Sequence, residues 1–203
     1  MKDLASRGLL TLTGDPPIWP RFFLVAPLFF VGTREPDGTY DLAPVHHAMP
    51  LGWTANYFAF ATAPSHATLR NLEREGIFTL SAPTPDQLLD LSLAAAPRIE
   101  GGAKPSLSAL STFPAAHLDG VLVEGAYLHL ECELERVLGG FGENCVVIGK
   151  VRAAHVDEAS VRREDLDDAD LLAQAPLLAF LSPGRYARIE ETFAFPFHEG
   201  FSR

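Results

Sequence analysis

Residues 63–80 read APSHATLRNLEREGIFTL, and this stretch predicts a turn, a helix and a strand in succession. The spacing of the apolar residues predicts a helix over about Ser65–Arg74. Gly76 is placed to end it, because glycine readily adopts the left-handed conformation found at helix ends. Residues 77–82 then predict a strand, so a short helix connects two neighbouring strands.

The turn before this helix has two functional interpretations. Free N–H groups at the helix start point outward beside the hydroxyls of Ser65 and Thr68 and the imidazole of His66, which suits a phosphate group. Ser65 could instead be an ordinary N-cap, whose side-chain oxygen accepts a backbone N–H of the first turn. The residues alone leave both interpretations open, and an anionic cofactor is the first ligand to test.

Composition limits the class of protein. The chain has 203 residues, of which 47% are hydrophobic and 21% charged, so we expect one domain over residues 1–203 with its core at about 20–197. A net charge of −10 argues against a nucleic-acid or anionic membrane surface. The longest apolar run, Phe22–Val31, is too short to span a membrane and predicts a buried strand. With no secretory signal, a cytoplasmic location is expected.

Neither the cysteines nor the histidines show metal-ligand spacing. Cys132 and Cys145 are predicted to be small core residues, although a redox pair on neighbouring strands stays open. His46 and His47 are adjacent, and successive side chains on a strand point to opposite faces. We therefore expect no shared metal ion.

Long strands are predicted in the second half of the chain. Alternation in Leu128–Glu135 predicts a strand with an apolar face and a wet face that carries His129 and three glutamates. Residues 144–152 predict its hairpin partner, and Gly149 within it indicates a bulge or a close approach by another group.

Other segments complete a mainly β pattern. A hairpin is predicted over residues 23–45 and a strand over 56–62, and residues 179–189 predict a Pro-Gly turn that leads into a short aromatic strand. Thr84, Pro85 and Gln87 form a capping-box pattern that predicts a second helix. Short, closely spaced strands with few helices favour an antiparallel barrel over a parallel sheet, and no G-x-G-x-x-G motif supports a Rossmann site.

Four segments, within roughly residues 22–195, resemble the flavin reductase-like family. Residues 37–44, DGTYDLAP, resemble its G-x-x-N-x-A-P stretch, and residues 68–78 resemble its T-x-x-N-I helix and G-x-F strand. Residues 124–134 with 147–151 resemble its E-C-x-L and I-G-x-V strand pair, and residues 184–187 its closing G-x-Y segment. The resemblance implies a mainly β fold, an antiparallel Greek-key split β-barrel that binds FMN, with a few short helices.

The resemblance also assigns flavin contacts. The residues implied on the ring side are Asp41, Leu42, Ala43, His46, His47 and Ala48, and those on the phosphate side are Ala63, Ser65, His66, Thr68 and Asn71. One of the two adjacent histidines would enter the flavin pocket, where an imidazole could steady the reduced ring or pass a proton. A histidine hydrogen-bonded in the core or at the surface is the alternative.

The function implied is hydride transfer from NADH or NADPH to FMN and onward to an acceptor, within a homodimer. The flavin supplies the reactivity, so no catalytic side chain is assigned. Two alternatives stay open: a flavoredoxin-like FMN electron-transfer protein without a nicotinamide site, and a non-catalytic binding module. The sequence departs from the family at Asp41, His46 and His66, which keeps the last alternative in view. An aromatic C-terminal stretch, Phe193–Phe197, is expected to be covered by the partner.

Overall fold

The computed structural model describes residues 4–200, and most of its regular structure is antiparallel β-strand. The strands are β1 (Leu24–Pro27), β2 (Phe29–Arg34), β3 (Tyr40–Val45), β4 (Ala48–Pro50), β5 (Tyr57–Thr62), β6 (Ile77–Ala82), β7 (Thr112–Pro114), β8 (Val121–Val123), β9 (Leu128–Phe141), β10 (Asn144–Val156), β11 (Leu177–Ser182) and β12 (Arg185–Ile189). The α-helices are α1 (Ala67–Glu75), α2 (Leu88–Ala94) and α3 (Asp168–Gln174), with short 3₁₀ turns between elements.

Seven strands form the main sheet, in the order β3-β2-β6-β9-β10-β5-β4, and every neighbouring pair is antiparallel. The three strands β1, β11 and β12 form a second sheet, and β7 and β8 form a small hairpin. This arrangement confirms the antiparallel, mainly β prediction. No helix within residues 4–200 is long and apolar enough to cross a membrane.

Two hydrophobic clusters hold the elements together. The larger one packs Leu69 and Leu72 of α1 against Phe78, Phe60 and their neighbours on the sheet. The smaller one lies around α2 and β8. Because α1 contributes its apolar stripe to the larger cluster, the turn that precedes it is held against the sheet.

Several local predictions are confirmed. Gly76 has a φ of 71° and its N–H bonds the carbonyl of Leu72, so it ends α1 in the left-handed conformation. Thr84 and Gln87 form the capping box, and the Gln87 amide also donates to the carbonyl of Glu124 at 2.9 Å. The capping residue therefore also links the start of the second helix to the end of β8.

The apolar run at residues 22–31 differs from its prediction. It divides at Leu28 into β1 and β2, which belong to different sheets. Only Phe29, Phe30 and Val31 are buried, whereas Val25 is 72% exposed. A single buried strand over this run is wrong, because β1 pairs on one side only, with β11, and leaves its apolar side chains at the surface.

The two cysteines are buried and free, as expected of core residues. They do not face each other on the β9–β10 hairpin: Cys132 lies opposite Val151, and Cys145 lies opposite Thr62 of β5. Burial raises the pKa of the Cys132 thiol to about 12, with a further contribution from the Glu131 charge. A redox pair between them therefore has no geometric support.

Gly149 shows both features that its position in a strand indicated. The register of β10 against β9 shifts between Ile148 and Gly149. A Cβ built at Gly149 would lie 2.7 Å from Cε1 of Phe78 and 3.2 Å from Cβ of Cys132. Phe78 is only 2% exposed, so its ring has no room to retreat.

We expect Gly149→Ala to lower the free energy of unfolding by about 1–3 kcal/mol, because it overpacks this contact. Gly139→Ala is the matched control, since nothing lies within 4 Å of its added Cβ. Its effect should stay within about 0.5 kcal/mol. In a Phe78→Leu background the cost of Gly149→Ala should shrink in a urea-denaturation double-mutant cycle. An undiminished cost there would contradict the clash.

One face of β9 was expected to be wet, and for half of the strand this is wrong. Glu131 is fully buried because the segment between β7 and β8 covers it, and His129 is 7% exposed because Phe113 of β7 packs against its ring. The Glu131 carboxylate accepts backbone N–H bonds from Ala116, His117 and Leu118 at 2.8–2.9 Å. Alternation identified the faces correctly but carried no information about a segment that lies over one of them.

Hydrogen bonding decides the charge state of Glu131. Burial alone would raise the pKa of its carboxyl, but the bonds from His155 and the three backbone N–H groups outweigh burial, and the pKa is lowered. The contribution of Glu131 to stability is therefore present above its ordinary pKa of 4.5 and is lost as the pH falls through the lowered value.

We expect Glu131→Gln to destabilise the protein by roughly 2–4 kcal/mol at pH 7, because an amide cannot accept all of these bonds. Part of the stability loss between pH 5 and pH 3 should disappear in this variant. Glu133→Gln makes the same chemical change two residues away on a half-exposed carboxylate paired with Arg152, and should cost far less stability, because solvent screens an exposed ion pair. Equal losses of unfolding free energy for the two variants in urea denaturation would contradict a stabilising role for the hydrogen bonds to Glu131.

Candidate functional site

A cleft of about 660 Å³ opens where three elements meet. Its walls are the end of β3 with the following histidines, the turn between β5 and α1, and residues 94–98 after α2. A volume of this size lies within the range of cofactor pockets. The elements that form it are distant in sequence and are brought together by the sheet.

The turn between β5 and α1 presents an open helix start. α1 begins at Ala67, and its N-cap is His66, with no hydrogen bond from the cap side chain to the first turn. Ser65 is therefore not the N-cap, and the helix starts two residues later than expected. The His66 Nδ1 lies 3.3 Å from the Thr62 hydroxyl, and Arg70 donates to the Ser65 carbonyl at 2.6 Å. First-turn N–H groups are thus left to other acceptors.

Basic side chains gather around the cleft despite the acidic composition. Arg70, Arg98 and Lys104 line it, and Asp41 is the one carboxylate among its lining residues. Asp41 is buried, and its oxygens lie 2.8 Å from an Arg98 nitrogen and 3.5 Å from Lys104 Nζ. The negative charge of Asp41 is therefore paired with these two cations in the wall of the cleft. Glu35 adds a second partner for Arg98.

Lys104 is held in place from two directions. Its ammonium also donates to the Leu42 carbonyl at 2.8 Å. Burial lowers the pKa of Lys104, and the nearby Asp41 carboxylate partly opposes that shift. The lysine, which belongs to the segment after α2, is thus fixed against β3, beside the cleft.

His46 and His47 lie in the short link between β3 and β4, where the chain is not a regular strand. Their ring centroids are 4.0 Å apart, and both line the cleft. The expectation that they point to opposite faces is wrong, because strand alternation does not hold in this link. The His46 ring also packs 4.5 Å from that of Phe180. Burial, followed by the neighbouring His47, lowers the pKa of His46.

The structure brings most of the predicted flavin contacts together. Eight line the cleft: Asp41, Ala43, His46, His47, Ala63, Ser65, His66 and Thr68. The other three do not. Leu42 and Ala48 are buried in the two core clusters, and Asn71 is buried with its amide donating to the Thr33 hydroxyl at 3.2 Å.

Four charged or amide side chains that line the cleft were not predicted: Arg70, Arg98, Lys104 and Asn144. Arg70 stands inside the quoted motif, one turn after the helix start, where its charge could have been noted. Arg98 and Lys104 belong to a Gly- and Pro-rich excursion without periodicity, so no pattern connected them with β3. The signal available in the sequence was that Arg98 and Lys104 lie only six residues apart in an acidic chain, which could have indicated an anion site.

A second groove adjoins the cleft and shares His46, His47, Ala61 and Asn144 with it. It also encloses about 660 Å³, and its other walls come from β1, β4, β5 and β10. Apolar side chains dominate these walls, and four large ones are exposed: Trp19, Leu24, Val25 and Met49. The two adjacent histidines thus form the boundary between a polar cleft and an apolar groove.

Comparison with solved structures identifies the fold. The chain is similar to flavoredoxin of Desulfovibrio vulgaris (Miyazaki F), with 21% identity, a TM-score of 0.75 and coverage of 95% of this chain and 100% of that one. Nitrilotriacetate monooxygenase component B from Bacillus cereus gives 19% identity, a TM-score of 0.77 and coverage of 92% and 98%. An FMN-binding protein from Thermus thermophilus gives 22% identity and a TM-score of 0.72, with coverage of 92% of this chain and 98% of that one.

These similarities confirm the predicted fold, an antiparallel split barrel with a few short helices. The model of the flavin reductase like domain matches residues 22–186, which is most of the chain and includes every wall of the cleft. This chain belongs to the flavin reductase-like family.

Proposed function

We propose that the cleft binds FMN with its phosphate at the turn between β5 and α1. The observation that carries this proposal is the open start of α1 beside Arg70, in a chain of net charge −10. Helix N–H groups and a guanidinium together favour a dianion at this point. The hydroxyls of Ser65 and Thr68 lie on the same side of the cleft and add donors.

The ring of the flavin would lie toward Ala43, His46 and His47. Small alanine side chains at 43, 61 and 63 leave room for a flat group against the backbone. Leu42 and Ala48, whose side chains are buried, would contribute through their backbone only. Asp41 would act indirectly, because it fixes Arg98 and Lys104 in the wall.

When bound, FMN supplies the capacity to accept a hydride and to pass electrons on. The chain's own contribution is to bind, orient and partly shield the ring. His46 has a lowered pKa, so its imidazole is neutral at pH 7 and can hold or release a proton at a ring nitrogen. That state suits a proton carrier better than a fixed positive charge beside the ring.

We further propose that NADH or NADPH reduces this flavin and that the reduced protein passes the electrons to an acceptor. Support comes from the space beyond the histidines, where the adjoining apolar groove leaves room for a second flat ring. Solved structures similar to this chain include one described as an NADH:FAD oxidoreductase and two described as flavoredoxins. An electron carrier without a nicotinamide site is therefore the competing function.

A homodimer in the cytoplasm completes the proposal. Apolar side chains are exposed along β1 and the C-terminal stretch, with Phe193 at 85% and Phe195 at 70%. Exposed patches of this kind usually mark an interface. A second copy seated on these side chains would cover them, and the part of the apolar groove next to the two histidines would stay open to the nicotinamide.

The first test is the affinity of the apoprotein for FMN and riboflavin. Because charge-assisted bonds hold the phosphate, we expect riboflavin to bind at least about tenfold more weakly. Arg70→Met should lower the affinity for FMN by roughly tenfold and leave the affinity for riboflavin unchanged. The double variant Ser65→Ala, Thr68→Ala should also lower the affinity for FMN. Arg136→Met, which removes an equal charge elsewhere, is the control. Calorimetric titration gives each dissociation constant.

Equal affinity for FMN and riboflavin would exclude the turn as the phosphate site. So would an Arg70→Met variant that loses affinity for both flavins to the same degree.

The second test separates an oxidoreductase from an electron carrier. Under anaerobic conditions we expect NADH or NADPH to bleach the visible absorbance of the FMN-loaded protein, because the groove beside the flavin admits the nicotinamide. Chemical reduction by dithionite is the positive control. Bleaching by dithionite but by neither nucleotide would favour the carrier function and reject hydride transfer from NAD(P)H.

A further inference from the structure

A separate polar cluster lies on the covered face of β9, and none of its members lines the cleft. It consists of His117 between β7 and β8, Glu131 on β9 and His155 on β10. One ligand atom from each residue lies within 4.8 Å of the others. We propose that these three side chains bind one divalent transition-metal ion of the zinc class.

The carboxylate of Glu131 is already oriented for such a site. A carboxylate has about four lone-pair positions, and backbone N–H groups of Ala116, His117 and Leu118 occupy three of them. The fourth, on Oε1, faces Nε2 of His155 at 2.8 Å. Ligands in metal sites are commonly fixed by hydrogen bonds of this kind, which reduce the cost of ordering them.

The separation of Glu131 and His155 is close to the one a metal requires. Zinc–oxygen and zinc–nitrogen bonds of about 2.0–2.1 Å at a tetrahedral angle place the two ligand atoms about 3.3 Å apart. A shift of about 0.5 Å in the half-exposed His155 ring would supply the difference. The ion would replace the proton between Oε1 and Nε2. In a neutral imidazole that proton moves to Nδ1, whereas an imidazolium, which already carries a proton on Nδ1, releases it to solvent, so the bound imidazole is neutral in both cases.

His117 supplies the third ligand from the covering segment. Its ring is exposed, and within residues 4–200 its imidazole nitrogens make no hydrogen bond. The planes of the His117 and His155 rings differ by only 7°, but their centroids are 6.0 Å apart. That spacing is too wide for tight stacking, and one nitrogen of each ring lies within 4.8 Å of the other and of a Glu131 oxygen.

The ligand types indicate the class of ion. Two imidazoles and one carboxylate suit zinc, cobalt or nickel, whereas magnesium and calcium prefer oxygen ligands throughout. The bound ion would connect the segment between β7 and β8 to both long strands. Because the three residues are 14 and 24 positions apart, this site depends on the fold and not on a local motif.

Equilibrium dialysis of the full, untagged chain with Zn²⁺ tests the proposal, followed by thermal unfolding with and without the ion. We expect one ion per chain and, at a hundredfold excess over Kd, a rise in Tm of about 5 °C or more. His117→Ala removes the imidazole but keeps the backbone N–H that donates to Glu131. It should raise Kd more than about tenfold.

His198→Ala is the matched control, because it removes an exposed histidine near the C-terminus. It should leave both Kd and the Tm shift unchanged. The proposal is overturned if the chain binds no Zn²⁺, or if His117→Ala binds it as tightly as the unaltered protein. None of these results depends on flavin binding, so they test this site independently of the proposed oxidoreductase function.

Discussion

The packing of Phe78 against Gly149 is a tight contact within the core cluster that holds α1 against the sheet. Phe78 belongs to β6, which pairs with β2 on one side and β9 on the other. Its ring fits only because β10 carries no side chain at Gly149. Gly76 ends α1 immediately before β6, so the place of β6 in the sheet also fixes where α1 and its open start lie. The turn at residues 63–66 therefore approaches β3 as part of a rigid core.

Electrostatics then decide what the cleft can hold. A chain with 26 acidic and 16 basic residues repels anions over most of its surface. Within the cleft the balance reverses, because Asp41 is engaged by Arg98 and Lys104 while Arg70 stands at the helix start. Charges a few ångströms away in a partly desolvated cleft outweigh distant ones that water and salt screen. A local site for a dianion is thus compatible with an acidic protein.

Local signals in the sequence predicted the helices, strands and turns better than they predicted what surrounds each side chain. Gly76, the capping box at Thr84 and the Gly149 close approach followed from backbone chemistry that acts within a few residues. The burial of Glu131 and the shared orientation of His46 and His47 did not follow, because both depend on what lies over or beside the strand. Eight of the eleven predicted flavin contacts line the cleft, since the motif segments themselves form its walls. Asn71 and two core residues do not, because helical and strand periodicity direct their side chains inward.

The segment from residue 97 to residue 123 connects these observations. Its first part supplies Arg98 and Lys104 to the cleft, and its second part supplies the backbone N–H groups that hold Glu131. Its regular structure is limited to one 3₁₀ turn and the short β7–β8 hairpin, so these contacts help to order the rest of it. One irregular segment thus completes a wall of the cleft and closes a polar face of the sheet. Because both roles rest on charged partners, the segment can remain polar in sequence and still be held firmly against the barrel.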